Sequence, residues 1–474
     1  MANFWDYSVW GTVNLTAVLL LSLLAANALK KEVGFLRKSL IPTSVLGGLM
    51  LLIISSVYKA IAGVDMFDTD FFGGNGMSNL EVITYHTLAL GFIATTFKGS
   101  DKKLSKQRGV EVFDTGVTTV STYLVQAVLG LGITLIAALI LPEFFAAAGV
   151  LLPFGYGQGT GQALNYGSIY EADYGFAGGR SFGLTIAALG FLSASIGGVI
   201  HLNILKKKGK IVLLDEDENA GKIGSEEVQG KDEIPMNGSM DKLTVQLAFI
   251  LSAYFITYLL LYFLGNLLPG LQSVLYGFNF LIGVLMASLL KSVFKLLRKK
   301  NIVKKQYVNN FLMSRISAFF FDIMVVAGIA AIRLDALKDY WVILIILGVV
   351  GAVSTYFYLR VVCRTLFKGY EEEQFLAMYG MLTGTASTGI ILLREIDGEF
   401  KTPVADNLVY QNFPAIVFGF PMMLLATLAP KEPVLTLIIL FAFLTVMNVL
   451  LFRSKIFKRK KKTLSEIPKE ENNA

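Results

Sequence analysis

Two short stretches rich in Gly, Thr, Ser and Gln interrupt long apolar sequence: Gly157-Gln158-Gly159-Thr160-Gly161-Gln162-Ala163 and Thr383-Gly384-Thr385-Ala386-Ser387-Thr388-Gly389. Their Gly-Thr steps lie 225 residues apart (384 − 159 = 225). Each follows one apolar span and precedes another. A segment of this composition makes a poor lipid-facing helix, and backbone that breaks at membrane depth is tolerated only inside protein or beside a cavity. At such a break the free N–H groups of one half-helix suit an anion. The exposed carbonyls of the other half suit a hard cation such as sodium. Breaks at matching places in two halves point to the binding site of a secondary transporter.

The elements that position these stretches follow from composition. Of 474 residues, 54% are hydrophobic and 16% charged, well below the quarter usual in soluble domains. The apolar residues cluster into eleven spans of about twenty, at about 8–28, 40–60, 80–98, 117–141, 181–204, 243–264, 268–290, 309–331, 340–361, 408–429 and 433–452. The net charge of +7 could suit nucleic acid, but its distribution argues against that. Lys and Arg crowd into alternate connections: Lys30 to Lys38, Lys98 to Arg108, Lys206 to Lys210, Lys291 to Lys305, Arg360 to Lys368 and Lys455 to Lys462. The other connections hold Asp65, Asp68, Asp70 and Glu143. The positive-inside bias then predicts a multi-pass protein of the cell membrane, N-terminus outside and C-terminus cytoplasmic. The N-terminal tail lacks the basic region of a signal peptide, so span one is expected to be retained. The single Cys363 excludes an internal disulfide.

The polar stretch 206–241, with Asp215-Glu216-Asp217-Glu218, reads as a disordered cytoplasmic linker. It separates a first membrane repeat, 1–205, from a second, 242–430. An extra span and basic tail follow at 431–474. Five spans is an odd number, so the two repeats enter from opposite faces and are inverted. The Gly-rich stretches fall between the fourth and fifth span of each, in hairpins at about 144–170 and 375–393, flanked by apolar runs too short to cross a bilayer. The expected fold is all-α and polytopic, with five spans and a re-entrant hairpin per half and an extra C-terminal helix.

Residues 153–204 carry a sharper signature. Pro153-Phe154-Gly155, the Gly157 to Ala163 stretch, Tyr174-Gly175-Phe176 and a Gly- and Ala-rich span closing on Gly197-Gly198-Val199-Ile200 resemble the bacterial sodium/glutamate symporter family. Gly380 to Arg394 matches the partner Gly-Thr segment of that family more loosely. The resemblance covers both halves in layout. It implies sodium-coupled import of glutamate, an inverted repeat of ten core helices and two re-entrant hairpins that hold the site. The long linker and the eleventh span depart from that pattern.

Glutamate brings two carboxylates and an ammonium. Gly159, Gly161 and Gly384 would let backbone approach it. Thr160, Thr385, Ser387 and Thr388 would donate hydroxyls, and Gln158, Gln162 and Thr383 add donors at the rims. For each hydroxyl the alternative is a bond back to its own helix. Asp322, in mid-span eight, is an intramembrane carboxylate and so a candidate for sodium or the ammonium. A pair with Arg315 is the alternative. Gln411 and Asn412, before Pro414, are candidate ion ligands or helix caps. Gln126 is expected to bond between helices. His86 and His201 have no partner at metal-ligand spacing and are expected to be packed. Arg394, Glu395 and Asp397 form a solvated cluster or an inner gate.

The predicted activity is sodium-coupled uptake of L-glutamate by alternating access, with sodium as coupling ion, no other cofactor, the lipid bilayer as surroundings, no nucleic acid and a possible homodimer. A sodium- or proton-coupled carrier of another organic anion is the alternative. No nucleotide loop, metal constellation or nucleophile with a base points to an enzyme.

Overall fold

The computed structural model describes residues 3–98, 105–209, 233, 240–398 and 401–456. Most of the polar linker and of the basic tail lies outside these residues. Among them the chain is helical, with one isolated β-bridge between Glu233 and Gln306 and no strand.

The first half contains α1 (Tyr7–Glu32), α2 (Thr43–Ala62), α3 (Gly76–Phe97), α4 (Lys106–Ile140), the short pair α5 (Leu151–Gln158) and α6 (Thr160–Tyr174), and α7 (Gly179–Lys207). The second contains α8 (Lys242–Leu267), α9 (Asn279–Lys299), α10 (Asn310–Ala330), α11 (Trp341–Leu366), the short pair α12 (Glu371–Thr383) and α13 (Ala386–Arg394), and α14 (Val404–Tyr410) running into α15 (Asn412–Leu428). The last span is α16 (Pro433–Leu451). Among the described residues ten helices are long and apolar enough to cross a membrane, and α14 with α15, bent by 50°, makes an eleventh. That agrees with the hydropathy count.

Local chemistry sets the ends. Ser105, Asp241 and Asn309 cap α4, α8 and α10 by accepting N–H bonds from the first turn. Pro269-Gly270 delays span seven. The chain makes a 3-10 turn and a short helix, Gln272–Gly277, before α9 starts at Asn279 rather than near 268. Lys291, Lys295, Arg298 and Lys299 therefore sit on the last turns of α9, not after it.

Two groups of helices emerge. In one, α3 lies along α10, α2 packs on α10, α9 on α3, α1 on α2 and α8 on α9. In the other, α4 packs on α11, and α5, α6 and α12 pack on α7. The largest fully buried side chains are concentrated in the short pairs and α7, including Tyr156, Tyr166, Tyr170, Phe154, Phe182 and Tyr379. The core of this second group is thus built around the segments that a bilayer-spanning count leaves out.

Candidate functional site

Both Gly-rich stretches are helix breaks at which the chain doubles back. In the first, α5 ends at Gln158 and α6 starts at Thr160. Between them Gly159 adopts φ +81°, ψ −171°, a conformation essentially reserved for glycine. The arms lie side by side, with Phe154 stacked on Tyr166 at 3.9 Å between ring centroids. In the second, α12 ends at Thr383 and α13 starts at Ala386. There Gly380 and Gly389 let the two backbones touch: a β-carbon at Gly380 would stand 2.8 Å from the Cα of Gly389.

The two breaks meet. A β-carbon at Gly159 would stand 4.0 Å from the carbonyl oxygen of Gly384. One wall comes from the first helix group. Thr160 donates to the carbonyl of Met324 at 3.4 Å, and α10 passes so close that a β-carbon at Gly328 would stand 2.8 Å from Thr160 Cβ. Gly161 faces Leu88 of α3. The other wall is α7, where a β-carbon at Gly190 would stand 2.5 Å from the Thr383 carbonyl.

The candidate residues differ in their surroundings. Gln162 is 1% exposed, and neither its Oε1 nor its Nε2 has a protein partner. Such a group costs about 1–3 kcal/mol if left unsatisfied. Thr385 is the N-cap of α13, its hydroxyl accepting from the Thr388 N–H at 3.3 Å, and Thr388 is buried. Thr383 bonds back to the Tyr379 carbonyl at 2.7 Å. Gln158 is half-buried at the end of α5 and Ser387 is exposed beside Ala386. The tips are therefore unequal: Gly159 to Gln162 are buried against α3 and α10, whereas Ala386 and Ser387 are open.

Gln411 and Asn412 stand at the bend between α14 and α15, near the end of α12. Gln411 accepts from Thr119 at 2.9 Å, and its Nε2 donates to Asn412 Oδ1 at 3.1 Å and faces Met381 Sδ at 3.6 Å. Asp322 is not brought to the breaks. It is exposed and faces Ser44 at the start of α2. Met324 and Gly328, which do meet Thr160, lie on another face of α10, since each residue advances about 100° around a helix. Arg315 stacks over Phe311 at 5.1 Å.

His86 meets the Tyr254 hydroxyl at 2.6 Å, and His201 lies between the Tyr356 hydroxyl at 2.8 Å and Glu372 at 3.1 Å. His201 is buried between helices as expected, whereas His86 is exposed at the side of α3. Asp397 accepts from the backbone of Lys401 and Thr402 and so shapes the turn after α13.

Sequence reasoning singled out Gln126, which does bond between helices, but passed over the hydroxyls on the same face of α4. Thr115, Thr119, Thr122 and Gln126 are buried along the side that meets α12 and α14. Their spacing of four, three and four residues was the available signal, because hydroxyls at helical spacing within a span mark a face turned away from lipid.

Two comparisons with known proteins bear on this arrangement. No curated protein matches the chain significantly. The family model described as sodium/glutamate symporter matches residues 10–402, which include both breaks and every helix from α1 to α13 apart from the first few residues of α1. With most of its length matched, this multi-pass membrane protein belongs to the sodium/glutamate symporter family, whose activity is sodium-coupled import of glutamate.

Proposed function

We propose that glutamate binds where the two helix breaks meet, held by the N-terminal ends of α6 and α13. The observation that carries this is Gln162, a buried amide with no protein partner one turn into α6, beside the Gly159–Gly384 approach. An amide offers both a donor and an acceptor. Its Nε2 answers a substrate carboxylate and its Oε1 the ammonium. Thr160, Thr385, Ser387, Thr388 and the free N–H groups of Thr160 to Gln162 and of Ala386 and Ser387 supply further donors. The last carbonyls of α5 and α12, at the negative ends of their helices, supply oxygen for sodium. Gln411 and Asn412 lie close enough to α12 to join that side.

We read the two halves as inverted repeats. Residues 146–158 before Gly159 and 371–383 before Gly384 correspond at the same offset of 225 (371 − 146 = 225; 383 − 158 = 225). Exchanging the halves also maps packed pairs onto packed pairs: α1–α2 onto α8–α9, α2–α10 onto α9–α3, α4–α5 onto α11–α12 and α4–α15 onto α11–α7. With the basic connections inside, the first hairpin is re-entrant from outside and the second from the cytoplasm.

The test is substrate protection. Single cysteines at Gln158 and Ser387, in a Cys363→Ser background, are labelled with a thiol reagent in proteoliposomes. Glutamate with sodium should slow labelling at both positions. Unchanged labelling at both, in protein that transports, would place the substrate elsewhere.

A further inference from the structure

One helix holds both breaks. The Tyr123 hydroxyl of α4 donates to the Gly157 carbonyl at 3.1 Å. Gln126, three residues on and fully buried, donates from Nε2 to the Leu382 carbonyl at 3.0 Å and to Thr355 Oγ1 at 2.8 Å. Gly157 and Leu382 are equivalent positions. Each lies two residues before its break glycine, and they are separated by the same 225 residues (382 − 157 = 225). Both carbonyls belong to the last turn of a half-helix, where the helix itself offers no further partner. Residues three apart on a helix share a face, so Tyr123 and Gln126 act from one surface. The fit on the first arm is tight, because any β-carbon at residue 157 would overlap the Tyr123 ring. A carbonyl only accepts, so the Leu382 bond also fixes which way the Gln126 amide faces.

We infer that Tyr123 and Gln126 form a two-armed clamp that sets the spacing between the two helix breaks, and so are positioning residues for glutamate and sodium binding. The inference rests on the breaks being the substrate site. Binding between two half-helices needs both ends held at one separation before the ligand arrives, since ordering them on binding would weaken affinity. Under simple inverted symmetry each half would brace its own hairpin. Here α4 reaches both, so a shift of one arm is carried to the other through a single rigid helix, and α11 joins through Thr355.

Uptake by Tyr123→Phe, Gln126→Met and the double variant tests this in proteoliposomes, with thermal melting in detergent as the folding control. Each single variant should raise the KM for glutamate about three- to tenfold, the range of one hydrogen bond, with Vmax nearly unchanged. The double variant should be no worse than about the larger single effect, because either change already frees the spacing. Gly157→Ala, which displaces the Tyr123 ring, should reproduce the Tyr123→Phe result and serves if Gln126→Met does not fold. Wild-type KM in folded Tyr123→Phe, or single effects that multiply in the double variant, would overturn the clamp. Gln162→Leu run alongside separates the two readings. Uptake sensitive to Gln162→Leu but indifferent to Tyr123→Phe removes the clamp alone, whereas indifference to Gln162→Leu removes the site on which it rests.

Discussion

Gly159→Ala isolates what an open backbone contributes at the first break. The residue sits at φ +81°, ψ −171°, where an L side chain is strained by about 1–3 kcal/mol. There is space for the methyl group: its nearest neighbours would be Phe191 Cζ at 3.9 Å and the Gly384 carbonyl oxygen at 4.0 Å, ordinary contact distances. The effect is therefore conformational and not a clash. The variant relaxes the break in the empty protein and must restore it to bind. The strain is then subtracted from binding, which corresponds to a KM about 5- to 150-fold higher at roughly tenfold per 1.4 kcal/mol. Gly63→Ala is the control. It also has a positive φ, +74°, with no atom within 4 Å of the added carbon, but it ends α2 away from the site. It should lower the melting temperature and leave KM alone. The assay is sodium-driven uptake of labelled glutamate in proteoliposomes, with KM and Vmax resolved. A folded Gly159→Ala protein with the wild-type KM would refute the reasoning, because the special backbone would then serve only the fold.

Other perturbations separate the candidates. Gln162→Leu should hold or raise the melting temperature, since it removes an unpartnered buried amide, yet raise the glutamate KM roughly ten- to hundredfold if the amide meets charged substrate groups. Thr385→Ala removes the N-cap of α13 and should cost about 1 kcal/mol of stability together with glutamate affinity, whereas Thr385→Ser should keep both. Asp322→Asn should leave the glutamate KM and the sodium titration unchanged, because Asp322 faces Ser44 and not the breaks. A sodium requirement shifted several-fold in the sodium titration would return it to the ion site.

Much of this was legible in the sequence, for physical reasons. A bilayer imposes a length on apolar helices, so hydropathy located eleven spans. It misplaced the start of α9, because Leu267 and Leu268 are as apolar as a span while Pro269-Gly270 breaks the helix. Glycine and hydroxyl residues amid apolar sequence marked both breaks, since no lipid-facing helix would carry them. What one dimension could not give is the side of a helix that faces the site. Asp322 stood out by depth alone, yet Met324 and Gly328, on another face of α10, are what approach Thr160. The hold of Tyr123 and Gln126 on the hairpins was equally hidden, because it depends on where α5 and α12 end against α4 across more than 250 residues of chain in the case of Gln126 and Leu382.

The most direct test of the account is uptake of labelled L-glutamate by the purified protein in liposomes, with an inward sodium gradient compared against equimolar potassium. Uptake that requires sodium, is competed by unlabelled L-glutamate and loses affinity in Gln162→Leu is the predicted result. Sodium-driven uptake that Gln162→Leu and Gly159→Ala both leave at the wild-type KM would contradict a site built from the two meeting breaks.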